Sequence, residues 1–463
     1  MNHSRSVIPL ALVGLLAAGL WLWKTVPGER PAGADEPSPK TVEPVPGDGP
    51  GEGLEDGPGE VAGKTPGTRD AEAQPRPPLS SLAEVPDWSS LKPWQGRVTR
   101  ADFLEQMQQV FTVSSAWREW FHVGESDVLI ETGIAGERYR LRFAEAGTEE
   151  ANAREWRTAE ELGPAPAGRP LEGLRIAVDP GHLGGRWAKI EERWFQVGDH
   201  QPVREGDMTL TVARKLKPRL EALGAEVTLV RDSDEPLTEY RPQTLLDKAR
   251  KDAPDSPARL AERLFYRSAE IRARAEKVNG EIRPDLVLCL HFNAESWGDP
   301  ADPELVGRNH LHLLINGAYM DGELAYADQR YEMVRRIVEG AHEEEKAVSS
   351  SVAAAFAQAS GLPPYLYEVG SRRALNIDGD PYLWARNLLA NRVYRAPVVF
   401  LEPYVMNSKE VHARIQAGDY PGLKKIAGKL RPSIYREYAD SVVGGLKDYY
   451  TEKRLPAGQE EDG

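Results

Sequence analysis

The chain has 463 residues, enough for two domains, and its 40 % hydrophobic and 28 % charged residues are ordinary for a globular protein. A formal net charge of −14 argues against a general nucleic-acid binder, because phosphate needs an excess of Lys and Arg. The single cysteine, Cys289, excludes an internal disulfide framework and a multi-cysteine zinc site.

In chain order, the first element is the apolar run Val7–Trp23, closed by Lys24, with Trp21 and Trp23 where an interfacial belt would lie. It predicts an uncleaved membrane anchor over 1–25 in preference to a cleaved signal. A signal's apolar core is usually shorter, and the nearest small-residue cleavage site, Ala32-Gly-Ala34, is far downstream. Charge does not fix the orientation, since Arg5 precedes the run and Lys24, Arg30 and Lys40 follow it. Residues 26–84 are dense in Pro, Gly and acidic side chains and predict a disordered tether. A small α+β domain of unknown role is expected over 85–161. Its helical run is Phe103–Phe111, a hairpin comes from "SDVLIETG" and "RYRLRFA", and His122 is structural. A Pro/Ala/Gly-rich joint over 162–173 leads into the main domain at 174–454, and a short tail follows at 455–463.

The main domain alternates apolar strands with helical patterns. Strands are expected at 175–178, 226–230, 286–290, 310–315 and 398–401, with helices over 208–223, 258–279, 328–341 and 346–359. Two-sided apolar runs such as "DLVLCL" and "APVVFL" predict an α/β fold with a mostly parallel sheet covered by helices. Ligands in such sheets bind at the carboxyl ends of strands. His182 in "RIAVDPGHLGG" and His291 in "DLVLCLHFNA" both end strands in this way. Taken singly, each histidine is as well explained by structure as by ligation. Together they suit a metal site, for which a carboxylate is the usual third ligand. Glu205 opens the helix that follows the first strand. Alone it is explained by the helix dipole, and beside two histidines it is a third ligand. Glu402 ends another apolar strand, where a carboxylate can exchange protons with an attacking water. Asn293 orients His291 or touches substrate. His310 and His312 share a strand face and are expected to pack, His200 sits in the loop before Glu205, and His342 and His412 belong to helices or surface. The run Glu343–Glu345 is read as a solvated helix face.

The ordered set "VDPGHLGG", Glu205, "GAEVTLVR", "LCLHFNA" and "FLEPYVMNSKE" resembles the amidase-3 family of zinc-dependent N-acetylmuramoyl-L-alanine amidases, over about 174–450. The resemblance implies that His182, Glu205 and His291 bind Zn2+ and that Glu402 is the catalytic carboxylate. It further implies a peptidoglycan substrate and a place in the cell envelope. The chain would be anchored to the inner membrane facing the periplasm, or secreted if the amino-terminal segment is cleaved. A protein activator is a partner that no motif here identifies. Alternatives are a non-catalytic peptidoglycan-binding or regulatory protein on the same fold, or a zinc hydrolase of another amide. The intact quartet argues against the first. The chain departs from the family pattern at Leu183, in the 23 positions separating His182 from Glu205, and at Pro403-Tyr404. Pro218 is expected to interrupt the helix after Glu205. Extra sequence at about 240–264 is expected to cover the cleft.

Overall fold

The computed structural model describes residues 77–145, 154–368 and 370–455. The expected anchor, residues 26–76 of the tether and residues 456–463 lie outside the described residues. Order begins earlier than the tether's composition predicts. Ser80 N donates to Asp328 Oδ1 at 2.8 Å and Ala327 N donates to Pro78 O at 2.9 Å, so the tether's last residues are tied to the fold. No helix among the described residues is long and apolar enough to cross a membrane.

α1 (Arg100–Gln106) starts at Thr99, whose hydroxyl accepts from Asp102 N at 3.2 Å. β1 (Phe121–Val123), β2 (Asp127–Glu131) and β3 (Arg138–Arg142) form an antiparallel sheet. The expected hairpin is its β2–β3 pair. Inward residues of this region, including Phe103, Trp117 and Ile130, belong to the same hydrophobic cluster as Leu290 and Leu313 of the main sheet. Gly317 lets the two regions touch, because a Cβ there would fall 2.4 Å from Val110 O.

The main sheet contains β4 (Arg175–Pro180), β7 (Glu226–Leu229), β8 (Leu286–Leu290), β9 (Leu311–Ile315), β10 (Leu375–Asn376), β11 (Leu383–Ala385) and β12 (Val398–Pro403). A two-residue pair, β5 (Trp194–Phe195) and β6 (Val203–Arg204), stands apart from it. The order across the main sheet is β10-β11-β9-β12-β8-β4-β7. Strands β7, β4, β8 and β12 are mutually parallel, while β9 runs antiparallel to β12 and parallel to β11. The reversal of β9 follows from its connection. No crossover helix lies between β8 and β9, so the chain re-enters the sheet from the edge where β8 left it.

Helices cover both faces: α2 (Glu205–Ala222), α3 (Pro242–Asp252), α4 (Pro257–Arg263), α5 (Glu270–Lys277), α6 (Ala327–Glu339), α7 (Ala341–Ser360), α8 (Leu389–Val393), α9 (Lys409–Gln416) and α10 (Ile434–Lys453). In α2, Met208, Val212, Leu216 and Leu220 recur every fourth residue and are buried. That packing carries the helix through Pro218, which does not break it as expected. The Glu343–Glu345 run is also not one solvated face. Glu343 is exposed, but Glu345 is buried, pairs with Arg336 and accepts from Val398 N at 2.8 Å, because this side of α7 packs on the sheet.

At the amino ends of β4 and β8, Asp285 is fully buried. Its carboxylate accepts from the backbone N–H groups of Arg157 and Arg175 at 3.0 Å each, and from both guanidinium groups. The joint at 162–173 is pinned there too, by Arg454, whose Nη1 donates to Pro170 O and Glu172 O.

Candidate metal centre

Four strand and helix ends converge at the carboxyl edge of β4, β8 and β12. β4 stops at Asp179-Pro180, and the chain turns through Gly181 to His182, whose φ of +57° is left-handed. Gly181 is required by what lies across from it. A Cβ there would fall 2.3 Å from Cε1 of His291 and 2.5 Å from its Nε2. Gly184 and Gly206 allow a second close approach, since a Cβ on Gly206 would sit 2.2 Å from Gly184 N. The "GHLGG" turn and the "EGD" helix start are thus in direct backbone contact.

Buried arginines hold this contact. Arg231 is 2 % exposed and donates through Nε to Pro180 O (3.0 Å) and through Nη2 to Gly181 O (3.3 Å) and Gly206 O (3.0 Å). Arg274 donates to Pro180 O at 2.9 Å and His182 O at 3.2 Å, while pairing with Asp179 at 3.0 Å and Glu270 at 2.9 Å. One guanidinium therefore ties the His182 turn to the Glu205 helix, and the other ties that turn to α5.

His182, Glu205 and His291 each offer one ligand atom, and the three atoms lie within 4.8 Å of one another. Glu205 Oε1 is 3.1 Å from His291 Nδ1 and accepts from Phe292 N at 3.1 Å. Its Oε2 is 3.4 Å from His182 Nε2. That oxygen is buried and accepts no hydrogen bond of good geometry, although Arg193 Nε approaches to 2.9 Å as an ion pair. His291 is fixed from behind by Phe400, stacked at 4.5 Å and 12°, and its carbonyl accepts from Tyr438 Oη at 3.1 Å.

Burial pushes the His182 imidazole well below its usual range, so the ring is neutral and has a lone pair to give. Burial pushes Glu205 upward, but the contact with His291 and the Arg193 guanidinium hold its carboxyl below the usual range, so it is ionised. The neutral His182 imidazole, the His291 ring and a carboxylate with a desolvated oxygen form a nitrogen and oxygen donor set of the kind that can hold a metal ion. Among the described residues, this is the one cluster of that kind.

Glu402 closes β12 opposite His312 of β9 and is 9 % exposed. With His182 and His291 it lines a cleft of about 460 Å³. The extra sequence forms a wall of this cleft through Leu260, Arg263 and Leu264. Leu183, where the chain leaves the family pattern, is fully buried in a cluster with Trp187, Leu245, Ala261 and Phe265. Two departures far apart in sequence are thus one packing unit.

Asn293 is also buried and is not among the residues that line the cleft. Its Oδ1 accepts from Ala294 N at 2.6 Å and its Nδ2 is 3.4 Å from His312. His310 and His312 pack around Tyr365 at 4.7 and 4.9 Å. His200 stacks on His412 of α9 at 5.3 Å, His342 is buried in α7, and His122 pairs with Glu131 at 2.8 Å. Sequence reasoning missed Glu191, which accepts from Leu183 N and Gly184 N at 2.8 and 3.1 Å and lies 3.7 Å from His182 Nδ1. It also missed the role of Arg193. The available signal was the long interval that contains both.

The geometry agrees with comparison to known proteins. Residues 176–430 match the Amidase_3 family model, described as N-acetylmuramoyl-L-alanine amidase. Among solved structures, the chain is similar to the N-acetylmuramyl-L-alanine amidase Ami1 of Mycobacterium smegmatis, at 18 % identity and a TM-score of 0.33 over 61 % of this chain and 99 % of that one. It is also similar to the CwlD amidase of Clostridioides difficile, solved with the GerS lipoprotein, at 13 % identity and a TM-score of 0.35 over 60 % and 98 %. A third is AmiC2 of Nostoc punctiforme, at 16 % identity and a TM-score of 0.28 over 61 % and 97 %. No curated protein sequence matches the chain. The family match spans more than half of the sequence, and the chain belongs to the amidase-3 family of cell-wall hydrolases.

Proposed function

We propose that the protein is a zinc-dependent amidase that hydrolyses the bond between N-acetylmuramic acid and L-alanine in peptidoglycan, with His182, Glu205 and His291 holding the metal. The observation that carries this reading is the meeting of three ligand atoms within 4.8 Å at a strand edge where Glu402 lines the same cleft. Zinc bound there supplies Lewis-acid polarisation of the scissile carbonyl. Glu402, at the end of a rigid strand, accepts a proton from the attacking water and returns it to the departing alanine nitrogen. Glu205 is anchored through Phe292 N–H and His291 through Phe400 and Tyr438, so the ligands reorganise little on binding. An anchor over 1–25 followed by a tether over 26–76 would hold this domain in the envelope within reach of the wall.

Digestion of purified peptidoglycan tests the reading. Intact stem peptides with a free L-alanine amino terminus should appear, and should disappear with chelator and in Glu402→Ala. Wall binding without release would favour the non-catalytic alternative, and cleavage within the peptide or glycan would favour a different hydrolase.

A further inference from the structure

The chain as a whole is acidic, yet the segment joining α9 to α10, Leu423–Arg431 ("LKKIAGKLR"), is basic and exposes leucine. It folds as a hairpin, β13 (Lys424–Ile426) against β14 (Lys429–Arg431), around Ala427 and Gly428, which have φ of +46° and +83°. The pairs are Lys424↔Arg431, Lys425↔Leu430 and Ile426↔Lys429. Strand alternation places Ile426, which is buried, on the inner face and Lys425 with Leu430 on the outer one. Leu423, just ahead of the strand, falls on that outer side as well. Leu423 and Leu430 are 64 % and 67 % exposed, among the most exposed large apolar side chains of the described residues. Isolated exposed leucines need no explanation, but two on one face beside Lys425, on a hairpin whose other face adds the exposed Lys424 and Lys429, do. Glu410 pairs with the hairpin's own Arg431, while Asp419 is engaged by Lys215 and Arg436, which leaves the three lysines as the tip's exposed charge. Lys424, Lys425 and Lys429 are all exposed.

The topology fixes where this hairpin lies. One turn into α10, Tyr438 reaches His291 O, and just past its end Arg454 reaches Pro170 O and Glu172 O ahead of β4. α10 therefore runs from the carboxyl edge of the sheet to the amino edge. The hairpin directly precedes it, on the edge that carries the metal centre.

We propose that the Leu423–Arg431 hairpin docks on an anionic phospholipid surface. Its two leucines enter the boundary between headgroups and acyl chains, and its three lysines meet lipid phosphates. The full chain carries a net charge of −14 with the hairpin included, so an anionic surface favours the basic tip over the rest of the chain and selects one orientation, with the metal-bearing edge toward the lipid. A second copy of the chain is a poor occupant, because a two-fold contact through this patch sets lysines against lysines. The inference does not rest on the chemistry proposed above.

The test uses the full-length chain with Ala427→Cys, labelled at the hairpin tip with an environment-sensitive fluorophore. Cys289, the other thiol, is buried and stays unlabelled. Vesicles of phosphatidylglycerol with phosphatidylcholine should brighten and blue-shift the emission, high salt should reverse the change, and phosphatidylcholine alone should produce none. Lys424→Gln with Lys425→Gln and Lys429→Gln should raise the lipid concentration at half-signal on the order of 100-fold, from about fivefold per lysine, and the three Glu substitutions should raise it further. Leu423→Ser with Leu430→Ser should remove the blue shift, with circular dichroism confirming that each variant is folded. The proposal is overturned by silence toward anionic vesicles, by an equal response of the charge-reversed chain, or by a change that follows protein concentration without lipid.

Discussion

Gly181→Ala is a one-atom test of how the candidate metal centre is assembled. The added Cβ would lie 2.3–2.6 Å from Cε1, Nε2 and Nδ1 of His291, about 1 Å inside the 3.4 Å at which ordinary van der Waals contact begins. The ring cannot retreat, because Phe400 is stacked behind it at 4.5 Å. The clash must therefore move the His182 turn, which Arg231 and Arg274 hold by three carbonyls, or displace His291 from its 3.1 Å approach to Glu205. Overpacking of this kind costs about 1–3 kcal/mol of stability. Misplacing a ligand by roughly 1 Å should weaken metal binding by at least the 10–100-fold typical of losing a supporting contact. Competition against a chromogenic zinc chelator gives the affinity, and denaturant unfolding of the metal-free protein gives the stability. An alanine variant that binds zinc as tightly as wild type and unfolds at the same midpoint would refute the geometry of this turn.

Three further predictions concern the parts that hold the site. Arg231→Lys keeps the charge but loses the fork that joins Pro180 O, Gly181 O and Gly206 O. It should weaken zinc binding about as much as Arg231→Met does, as the same chelator competition measures. Leu183→Ala opens a cavity in the cluster beneath α3 and α4 and should cost about 2–5 kcal/mol. Limited proteolysis should then cut first within 240–264, and an unchanged pattern would show that Leu183 does not anchor this segment. The arginines around Asp285 hold its carboxyl below the usual range despite burial, so the stability it contributes is present above the unfolded carboxylate value and is lost as pH falls through the folded one. Asp285→Asn should cost about 3 kcal/mol near neutral pH and flatten the fall in stability below about pH 4, seen in urea unfolding as a function of pH.

The candidate ligand residues were legible because each stands at a change of pattern. His182 and His291 end two-sided apolar strands, and Glu205 begins the period-four stripe of α2, so the α/β rule alone brings them to one edge. Tertiary packing hid the rest. Glu345 reads as one of three solvated glutamates until Arg336 of the preceding helix is placed against it. Pro218 reads as a break until the buried face of α2 is seen to continue on both sides of it. Asn293 follows His291 by two residues, yet its amide is turned toward His312. Glu191 and Arg193 lie in a stretch without periodicity, and only the three-dimensional return of that stretch puts them beside His182 and Glu205.

The central claim is that this site hydrolyses the lactyl–alanine amide. Digestion of peptidoglycan in ¹⁸O-labelled water tests it most directly, with mass spectrometry of both products. The lactyl carboxylate of the glycan should gain one heavy oxygen while the released peptide gains none, and both signals should vanish in His182→Ala and Glu402→Ala. Heavy oxygen in the peptide's own carboxyl groups, or at a sugar carbon, would contradict the account.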